Sequence, residues 1–266
     1  MIHGKATILI LEKRVWDDER DRQGARELVS DEKRVSVVIP TLEEGETIGA
    51  VVAEIPRDVA REIIVADGGS RDQTVVRAEK AGARVVMAGR GYGRACAAGV
   101  AAADAGAEII VFLDGDGADR GDLLGMLVAP ILAGTHDFVL ASRTRGTRDA
   151  GAMLWHQVLA GRLIGFIIGR RYGVRYSDMC AYRAIRRGAL AELAMREMGY
   201  GWNVEMQIRA AAAGFRMLEV PVPYRRRGGG RSKVAGSIGG TLRASTRILS
   251  VAWRLAGPGG IPPARK

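Results

Sequence analysis

Short apolar runs rich in valine and isoleucine recur along the first half of the chain, and each ends in a polar or glycine-rich turn. They are VSVVIP at 35–40, EIIVAD at 62–67, RVVMA at 84–88, EIIVFLD at 108–114 and DFVLAS at 137–142. Continuous runs of this kind are typical of strands buried on both faces. Because helix-like segments separate the first four runs, the pattern predicts an α/β fold with a mostly parallel central sheet and helices on both faces.

The turns after the first four predicted strands hold the polar residues that matter most for function. In open parallel sheets, ligands bind beyond the carboxyl ends of the strands. Thr41, Asp67, Arg90 and Asp114 lie at these ends, so we expect them to line one site. A dinucleotide site is disfavoured, because the glycine-rich segment GRGYGRACAAG follows the third strand rather than the first.

Two carboxylates in the segment FLDGDGAD, Asp114 and Asp116, stand at the end of the fourth apolar run. The glycines beside them let the backbone turn tightly. Hard divalent cations such as Mg²⁺ and Mn²⁺ take oxygen ligands, and they commonly use one or two carboxylates while substrate phosphates complete the shell. The pair therefore indicates a cation site for a phosphorylated ligand.

Two other interpretations of this segment remain to be weighed. A calcium loop of the helix-loop-helix type is disfavoured, because Ala118 occupies its fifth position, Asp119 its sixth and Gly125 its twelfth. A surface turn rich in aspartate and glycine is a common structure, and a short Asp-X-Asp motif alone does not exclude it. The loops upstream at the same sheet edge favour the cation site.

Composition and charge narrow the class of protein. The 266 residues suit one sizeable catalytic unit with appendages. A formal net charge of +10 favours polyanionic partners. A nucleic-acid-binding protein is a distant alternative, because aromatic residues make up only 5% of the chain and no nucleic-acid fold signature occurs. No run reaches the roughly 18 to 20 apolar residues of a membrane span. With Cys96 and Cys180 outside any metal-ligand spacing, we expect a cytoplasmic protein.

The motifs VSVVIPTLEEGETI, IIVADGGSRDQT, GYGRACAAG and IIVFLDGDGAD occur in this order. In this arrangement the chain resembles the inverting family 2 glycosyltransferases, which have the Rossmann-like GT-A fold. The later segments RYSDMCAYRAIRR, GYGWNVEMQIRAAAAGFRMLEVPVPYRRR and GGRSK are similar to those of polyprenyl-phosphate (dolichol-phosphate-type) mannosyl- and glucosyltransferases. The resemblance covers residues 35 to about 233 and implies transfer of a hexose from a nucleoside diphosphate sugar, GDP- or UDP-linked, to a polyprenyl phosphate.

The resemblance also implies roles for residues at the donor side. Those expected to contact the nucleotide sugar are Pro40, Thr41, Glu43, Asp67, Gly68, Arg90 and Asp114. Asp114 and Asp116 match the metal motif, which implies Mg²⁺ or Mn²⁺ as cofactor. Many relatives have glutamine where this chain has Ala118, so the identity of any further ligand is left open among water, a backbone carbonyl and Asp119.

On the acceptor side, a lipid phosphate is already anionic, so arginines that position it matter more than a strong base. The basic residues that the resemblance places near this phosphate are Arg143, Arg225, Arg227, Arg231 and Lys233. A solvated basic segment is the alternative for YRRRGGGRSK. Asp116, Arg143 and Glu205 are the predicted catalytic residues. We expect Glu205 to face the cleft, as an acceptor-positioning group or a base, although a helix-surface glutamate has the same pattern.

The last segment, SIGGTLRASTRILSVAWRLAG, mixes apolar residues with arginines. It suits a helix lying on an anionic membrane surface, which would make the protein peripheral on the inner face of the cell membrane. A helix that packs on the domain or on a second subunit has the same pattern. A soluble phosphorylated or hydroxyl acceptor is the alternative to polyprenyl phosphate.

These predictions divide the chain into four parts. Residues 1–34 form an N-terminal extension, and residues 35–142 form the nucleotide-sugar-binding half. Residues 143–224 form a more helical acceptor-binding half. Residues 225–266 form the basic loop and the amphipathic tail.

Overall fold

The computed structural model describes residues 34–174, 176–229 and 238–264. Within these residues, one sheet contains the strands β1 (Val35–Thr41), β2 (Ala60–Asp67), β3 (Arg84–Met87), β4 (Ile109–Phe112), β5 (Phe138–Ser142), β6 (Arg183–Arg186) and β7 (Met217–Pro221). Their order across the sheet is β3-β2-β1-β4-β6-β5-β7. The predicted N-terminal extension, apart from Arg34, lies outside the described residues.

The sheet is mostly parallel, as predicted. β1 pairs in parallel with β2 and β4, and β2 pairs in parallel with β3. β5 pairs in parallel with β7. β6, which was not predicted, runs antiparallel to both β4 and β5. Because β6 enters the sheet from the opposite direction, the loop before it reaches the same edge as the carboxyl ends of the other strands.

The helices of the described residues are α1 (Ile48–Glu54), α2 (Thr74–Lys80), α3 (Tyr92–Ala102), α4 (Leu124–Leu132), α5 (Trp155–Tyr172), α6 (Arg187–Glu192), α7 (Trp202–Ala212) and α8 (Ile238–Ala256). A short 3₁₀ turn, Gly121–Leu123, precedes α4. Two glycines past helix ends, Gly82 after α2 and Gly173 after α5, have positive φ, which is the usual way for a helix to stop.

Helices cover both faces of the sheet. On one face, α1, α2 and α4 pack against the alternate residues Val35, Val37 and Ile39 of β1. On the other face, α3, α6 and α7 pack against Val38 of β1 and against β2 and β4. Neighbouring residues of β1 pack on opposite faces because successive side chains of a strand point to opposite sides of the sheet. The predicted doubly covered α/β fold is therefore confirmed.

The amphipathic tail forms α8 and packs on the domain. Val251, Ala252 and Leu255 of α8 are buried in a cluster with Ile164 and Ile168 of α5 and with residues of α7. This contact uses one side of the helix, as expected for an amphipathic segment. Among the described residues, no helix combines the length and the apolar character that crossing a membrane would require.

Candidate active site

The loops after β1 and β2 are tied together at the carboxyl edge of the sheet. The hydroxyl of Thr41 donates to Oδ1 of Asp67 at 3.3 Å, and the N–H of Gly68 donates to the carbonyl of Thr41 at 2.8 Å. Pro40 lies opposite Ala66 in the parallel pair. These contacts make the two predicted donor loops one rigid unit at the sheet edge.

Asp67 organises its own turn. It is fully buried. Oδ2 accepts hydrogen bonds from the N–H groups of Gly69 and Ser70, both at 2.8 Å, and Oδ1 accepts one from the Ser70 hydroxyl. The described contacts of Asp67 are thus with the protein, and its contact with a nucleoside stays a prediction.

Glu43 has a backbone conformation that is unusual for a residue other than glycine, with φ at 53°. Two hydrogen bonds hold it there: its N–H donates to the Ser70 hydroxyl at 2.8 Å, and its Oε1 accepts from the N–H of Arg71 at 2.9 Å. Non-glycine residues with positive φ cost energy and cluster at binding sites. The geometry fits the predicted role of Glu43 in donor binding.

The acidic motif follows β4 and lies next to both loops. Asp114 accepts a hydrogen bond from the Tyr92 hydroxyl at 3.0 Å. The carbonyl of Gly115 accepts one from the Thr47 hydroxyl at 2.6 Å. A Cβ atom at Gly115 would lie 2.8 Å from Cγ2 of Thr41. Only glycine therefore lets the acidic motif approach the end of β1 this closely.

Several carboxylates converge at this motif, and burial together with their negative charges raises the pKa values of two of them, Asp114 and Asp119. Burial raises the pKa of Asp114 to about 7, and the nearby negative charge of Asp116 adds to the effect. Burial, together with the charges of Asp114 and Asp116, raises the pKa of Asp119 to about 8. The negative charge of Glu44 also raises the pKa of Asp114. A cluster of this kind is stabilised by a cation.

One cation of the protein itself already lies against this cluster. The Arg227 guanidinium donates from Nη1 to Oδ2 of Asp116 at 3.0 Å and from Nη2 to the carboxylate of Glu44. The other oxygen of Asp116 accepts from the N–H of Ala118 at 3.0 Å. Because the positive Arg227 side chain lies between the carboxylates of Asp116 and Glu44, the residues present fit a divalent cation.

The structure brings together only part of a metal coordination shell. Among the described residues, no group of three or more histidine, cysteine, aspartate or glutamate side chains is arranged to hold a metal ion. Open sites for Mg²⁺ or Mn²⁺ commonly take one or two carboxylates from the protein and further oxygens from substrate phosphates. Asp114 and Asp116 would hold such an ion, and the charges of both act on the buried Asp119.

The basic segment after β7 runs alongside the acidic motif. The N–H of Arg225 donates to the carbonyl of Ala118 at 3.0 Å, and the N–H of Gly228 donates to the carbonyl of Asp116 at 2.9 Å. The Arg225 side chain forms an ion pair with Glu54. The first part of the predicted acceptor loop therefore lies at the predicted metal site. Arg231 and Lys233, which complete that prediction, lie outside the described residues.

Arg143, directly after β5, is held by a buried aspartate. Its Nε and Nη2 donate to the two oxygens of Asp178, at 2.8 and 2.7 Å, and its guanidinium lies over the ring of Tyr224 at 5.1 Å. Burial alone would raise the pKa of Asp178, but the charge and hydrogen bonds of Arg143 outweigh it and lower that pKa. The charge of Arg143 also acts on Asp114 and Asp119. Arg143 therefore belongs to the site.

The prediction that Glu205 faces the cleft is wrong. Its side chain is fully buried, and Oε1 accepts a hydrogen bond from Nε of Arg209 at 2.8 Å. Oε2 accepts hydrogen bonds from the N–H groups of Arg196 and Glu197, at 3.0 and 2.6 Å. Glu205 thus anchors the loop before α7. Arg90, by contrast, is exposed in the loop before α3, where its contact with a nucleotide stays a prediction.

Several residues of the site were not predicted from the sequence. Tyr92, Glu44, Asp178 and Tyr224 each contact one of the predicted site residues. The only signal for Tyr92 was its place in the glycine-rich turn after β3. The others pair with residues far away along the chain, so no local pattern marks them.

Comparison with known proteins identifies the family of this chain. A family model described as Glycosyl transferase family 2 matches residues 36–194. The chain belongs to glycosyl transferase family 2. An uncharacterized glycosyltransferase of Mycobacterium tuberculosis is 37% identical to this family 2 glycosyltransferase over 79% of the chain and 94% of the relative. The undecaprenyl-phosphate mannosyltransferase of Micrococcus luteus is 30% identical over 84% of the chain and 97% of the relative.

Two further comparisons extend this result. The dolichyl-phosphate hexose transferase of Haloferax volcanii is 34% identical to this family 2 glycosyltransferase over 73% of the chain and 84% of the relative. Glucosyl-3-phosphoglycerate synthase from Mycobacterium tuberculosis, in complex with phosphoglyceric acid, superposes with a TM-score of 0.70 at 22% identity. That match covers 96% of this chain and 89% of the other. At this identity the structural match shows the shared GT-A fold, which confirms the predicted fold class.

The raised pKa of Asp119 predicts a pH-dependent cost to stability. The folded protein keeps a proton on Asp119 up to about pH 8, whereas the unfolded chain releases it near 3.8, the ordinary pKa of an aspartate side chain. Unfolding therefore releases protons in this window, and the free energy of unfolding falls as pH rises. We expect Asp119→Asn to reduce this fall by about 1 kcal/mol or more between about pH 5 and about pH 8.

Urea denaturation at several pH values, without added metal, measures this effect. The exposed Asp58 supplies a matched control, since Asp58→Asn makes the same chemical change outside the cluster. Parallel stability curves for the wild type and Asp119→Asn would contradict the assignment of the carboxylate cluster.

Proposed function

We propose that this family 2 glycosyltransferase moves a hexose, mannose or glucose, from a nucleoside diphosphate sugar to a polyprenyl phosphate with inversion at the anomeric carbon. The observation that carries the proposal is the contact between Arg227 and Asp116. It puts a basic residue of the predicted acceptor loop against the carboxylate of the predicted donor site. Donor diphosphate and acceptor phosphate would therefore meet at one place.

The names of the relatives support a lipid acceptor. Two relatives that are at least 30% identical, from Haloferax volcanii and Micrococcus luteus, are named for transfer to dolichyl phosphate and undecaprenyl phosphate. Both matches cover more than two thirds of this chain. Polyprenol monophosphomannose synthase of Mycolicibacterium smegmatis is 29% identical over 81% of the chain. A phosphate on a long isoprenoid chain is the acceptor chemistry that these names share.

The residues of the chain suit direct displacement by a phosphate oxygen. Asp178 binds Nε and Nη2 of Arg143, and none of the described residues accepts a hydrogen bond from its Nη1. Arg143 would use this remaining side to orient the acceptor phosphate, which is anionic near neutral pH and needs no general base. A cation on Asp114 and Asp116, Mg²⁺ or Mn²⁺, would when bound stabilise the charge of the leaving diphosphate as a Lewis acid.

The loops after β1 and β2 would bind the nucleoside of the donor. The turn of Asp67 and the strained Glu43 would present a preformed surface to the nucleoside, because their hydrogen bonds already hold them in place. Preformed sites bind with a smaller entropic cost than sites that order on binding. Arg227 would be able to bind the acceptor phosphate if a cation on Asp116 took the place of its guanidinium.

A panel of nucleotide sugars tests the donor side of the proposal. We expect one of GDP-mannose and UDP-glucose, in the presence of Mn²⁺, to raise the melting temperature, since a ligand that binds only the folded state stabilises it. At a nucleotide-sugar concentration of roughly 100 times Kd, the free energy of unfolding rises by about 2.7 kcal/mol. The same sugar with EDTA in place of Mn²⁺ should give a much smaller shift. No shift with any donor would overturn the proposal.

Measurement of the transfer product, with the donor that stabilises the protein, tests the identity of the acceptor. A soluble phosphorylated acceptor is the second candidate, because Arg143 and Arg227 recognise a phosphate and not the chain attached to it. We expect transfer from the stabilising donor to a short-chain polyprenyl phosphate, with little transfer to 3-phosphoglycerate. The reverse preference would replace the lipid acceptor with the soluble one.

A lipid acceptor also implies that the protein works as a peripheral protein on the cytoplasmic face of the membrane.

A further inference from the structure

The outer side of α5 exposes an unusual number of large apolar residues. Trp155, Leu159, Leu163, Phe166 and Ile167 have exposed fractions between 37% and 76%. Their spacing along the helix places them on one face, opposite the buried Ile164 and Ile168. Scattered exposed apolar residues are normal, but a contiguous stripe on one helix marks an interaction surface. We call this stripe the α5 face.

The charge of the α5 face limits what can cover it. Arg162 and Arg170 are exposed on the same side of the helix, and they form no ion pair with the residues that the structure describes. The sequence of α5, WHQVLAGRLIGFIIGRRY, has no acidic residue. A partner of opposite charge with an apolar interior is therefore the best match for this face.

The neighbouring helix has the same character. α8 packs against α5 through buried residues, and it exposes Leu242, Leu249 and Trp253 at helical spacing. Its sequence, IGGTLRASTRILSVAWRLA, also has no acidic residue. Two adjacent helices thus present apolar side chains, and neither helix contributes a carboxylate. Arg247 and Arg254 of α8 pair with Glu197, so Arg162 and Arg170 of α5 are the arginines offered to a partner.

These features favour a lipid surface over a second copy of the chain. A symmetric contact between two α5 faces would bring arginines together with no acidic residue of either helix to pair with them, which is unfavourable. An anionic bilayer offers both an apolar interior for the side chains and negative headgroups for the arginines. Tryptophan, exposed at Trp155 and Trp253, is typical of the interface between headgroups and acyl chains.

We infer that the α5 face, together with the outer side of α8, docks the protein on an anionic membrane by inserting Leu163 and Phe166 between lipids while Arg162 and Arg170 bind headgroups. The inference rests on the proposed function only in giving the enzyme access to a lipid acceptor. The docking step itself requires no transfer of sugar, so it can be measured separately.

Vesicle sedimentation of the full chain tests the docking surface. We expect binding to vesicles of phosphatidylcholine with phosphatidylglycerol, and much weaker binding to phosphatidylcholine alone. Phe166→Ser should lower the partition coefficient on the anionic vesicles roughly tenfold, because one large apolar side chain no longer inserts. Val76→Ser is the matched control, since Val76 is also exposed, at 57%, but lies on α2. It should bind as the wild type does.

A second pair of variants tests the charge. Arg162→Gln with Arg170→Gln should weaken binding to the anionic vesicles by roughly tenfold or more, whereas Arg57→Gln with Arg61→Gln, the same change at two other exposed arginines, should not. Four results would overturn the inference: no vesicle binding, equal binding to both vesicle types, wild-type binding by Phe166→Ser, or a wild-type dimer that Phe166→Ser converts to a monomer.

Activity separates this inference from the proposed function. With a short-chain, water-soluble polyprenyl phosphate, Phe166→Ser should keep the wild-type rate of transfer, because the α5 face does not contact the reacting groups. Vesicle binding without any transfer would remove the proposed acceptor and leave the docking surface. Transfer to the soluble lipid without vesicle binding would remove the docking surface and leave the proposed function.

Discussion

Replacement of Asp116 by alanine is expected to lower the rate of sugar transfer by roughly 1,000-fold or more, because a cation at the leaving diphosphate supplies several kcal/mol of transition-state stabilisation. Asp116 is the carboxylate of the motif that already binds a cationic group, the guanidinium of Arg227. The variant should also lose the Mn²⁺-dependent rise in melting temperature that a nucleotide sugar gives the wild type. Initial rates and thermal scans with and without Mn²⁺ measure the two effects.

The fold of Asp116→Ala should remain intact, because Asp116 is partly exposed and its removal relieves repulsion on Asp114 and Asp119. The variant should therefore melt at or above the wild-type temperature in the absence of metal and donor. Asp58→Asn, a change at an exposed aspartate remote in sequence from the motif, serves as control and should transfer sugar normally. Wild-type turnover by Asp116→Ala would refute the assignment of the metal site.

The sheet was largely predictable because its strands are buried on both faces. β1, β2 and β4 consist of residues that pack against helices above and below the sheet, so the sequence shows unbroken apolar runs. β6 is the exception. Its sequence, RAIR, begins with Arg183, which is fully buried and donates hydrogen bonds to the carbonyls of Ala181 and Asn203. An arginine at the start of a run looks like a surface position, since its burial depends on carbonyls brought there by the fold.

The site residues were predictable where they lie just after the carboxyl end of a strand. Asp114 and Arg143 follow strands that end at the same edge of the sheet, so the rule for open α/β sheets brings them together. The pairs that hold them were not predictable, because the partners are far apart in the chain. Arg143 meets Asp178 35 residues on, and Asp116 meets Arg227 111 residues on.

Glu205 shows how local patterns mislead. Its neighbours Val204 and Met206 are apolar, and the sequence was interpreted as a helix facing a cleft. The same pattern arises when the helix is buried on all sides, and here the carboxylate is satisfied internally by Arg209 and two backbone N–H groups. A buried carboxylate with all its partners present is structural, and nothing in the adjacent residues reveals those partners.

The loss of Arg143 is expected to have two effects that can be separated. Arg143→Gln should lower the free energy of unfolding by about 3–5 kcal/mol, because the Asp178 carboxylate, with a side chain only 2% exposed, is left buried without its cation. It should also lower transfer by roughly 100-fold, because a bidentate arginine that orients a phosphate contributes several hydrogen bonds to the transition state. Urea denaturation and initial rates at saturating donor measure the two effects.

The double variant Arg143→Gln/Asp178→Asn distinguishes structure from function. Removal of both charges leaves a neutral pair that retains hydrogen-bonding groups, so we expect much of the lost stability to return. Transfer should stay low, with the defect larger at low acceptor concentration, because the cation that orients the acceptor is still absent. Asp178→Asn alone keeps the arginine and should transfer sugar faster than either variant that lacks it. If the double variant regained the wild-type rate, Arg143 would be a structural residue and the acceptor phosphate would have to bind elsewhere.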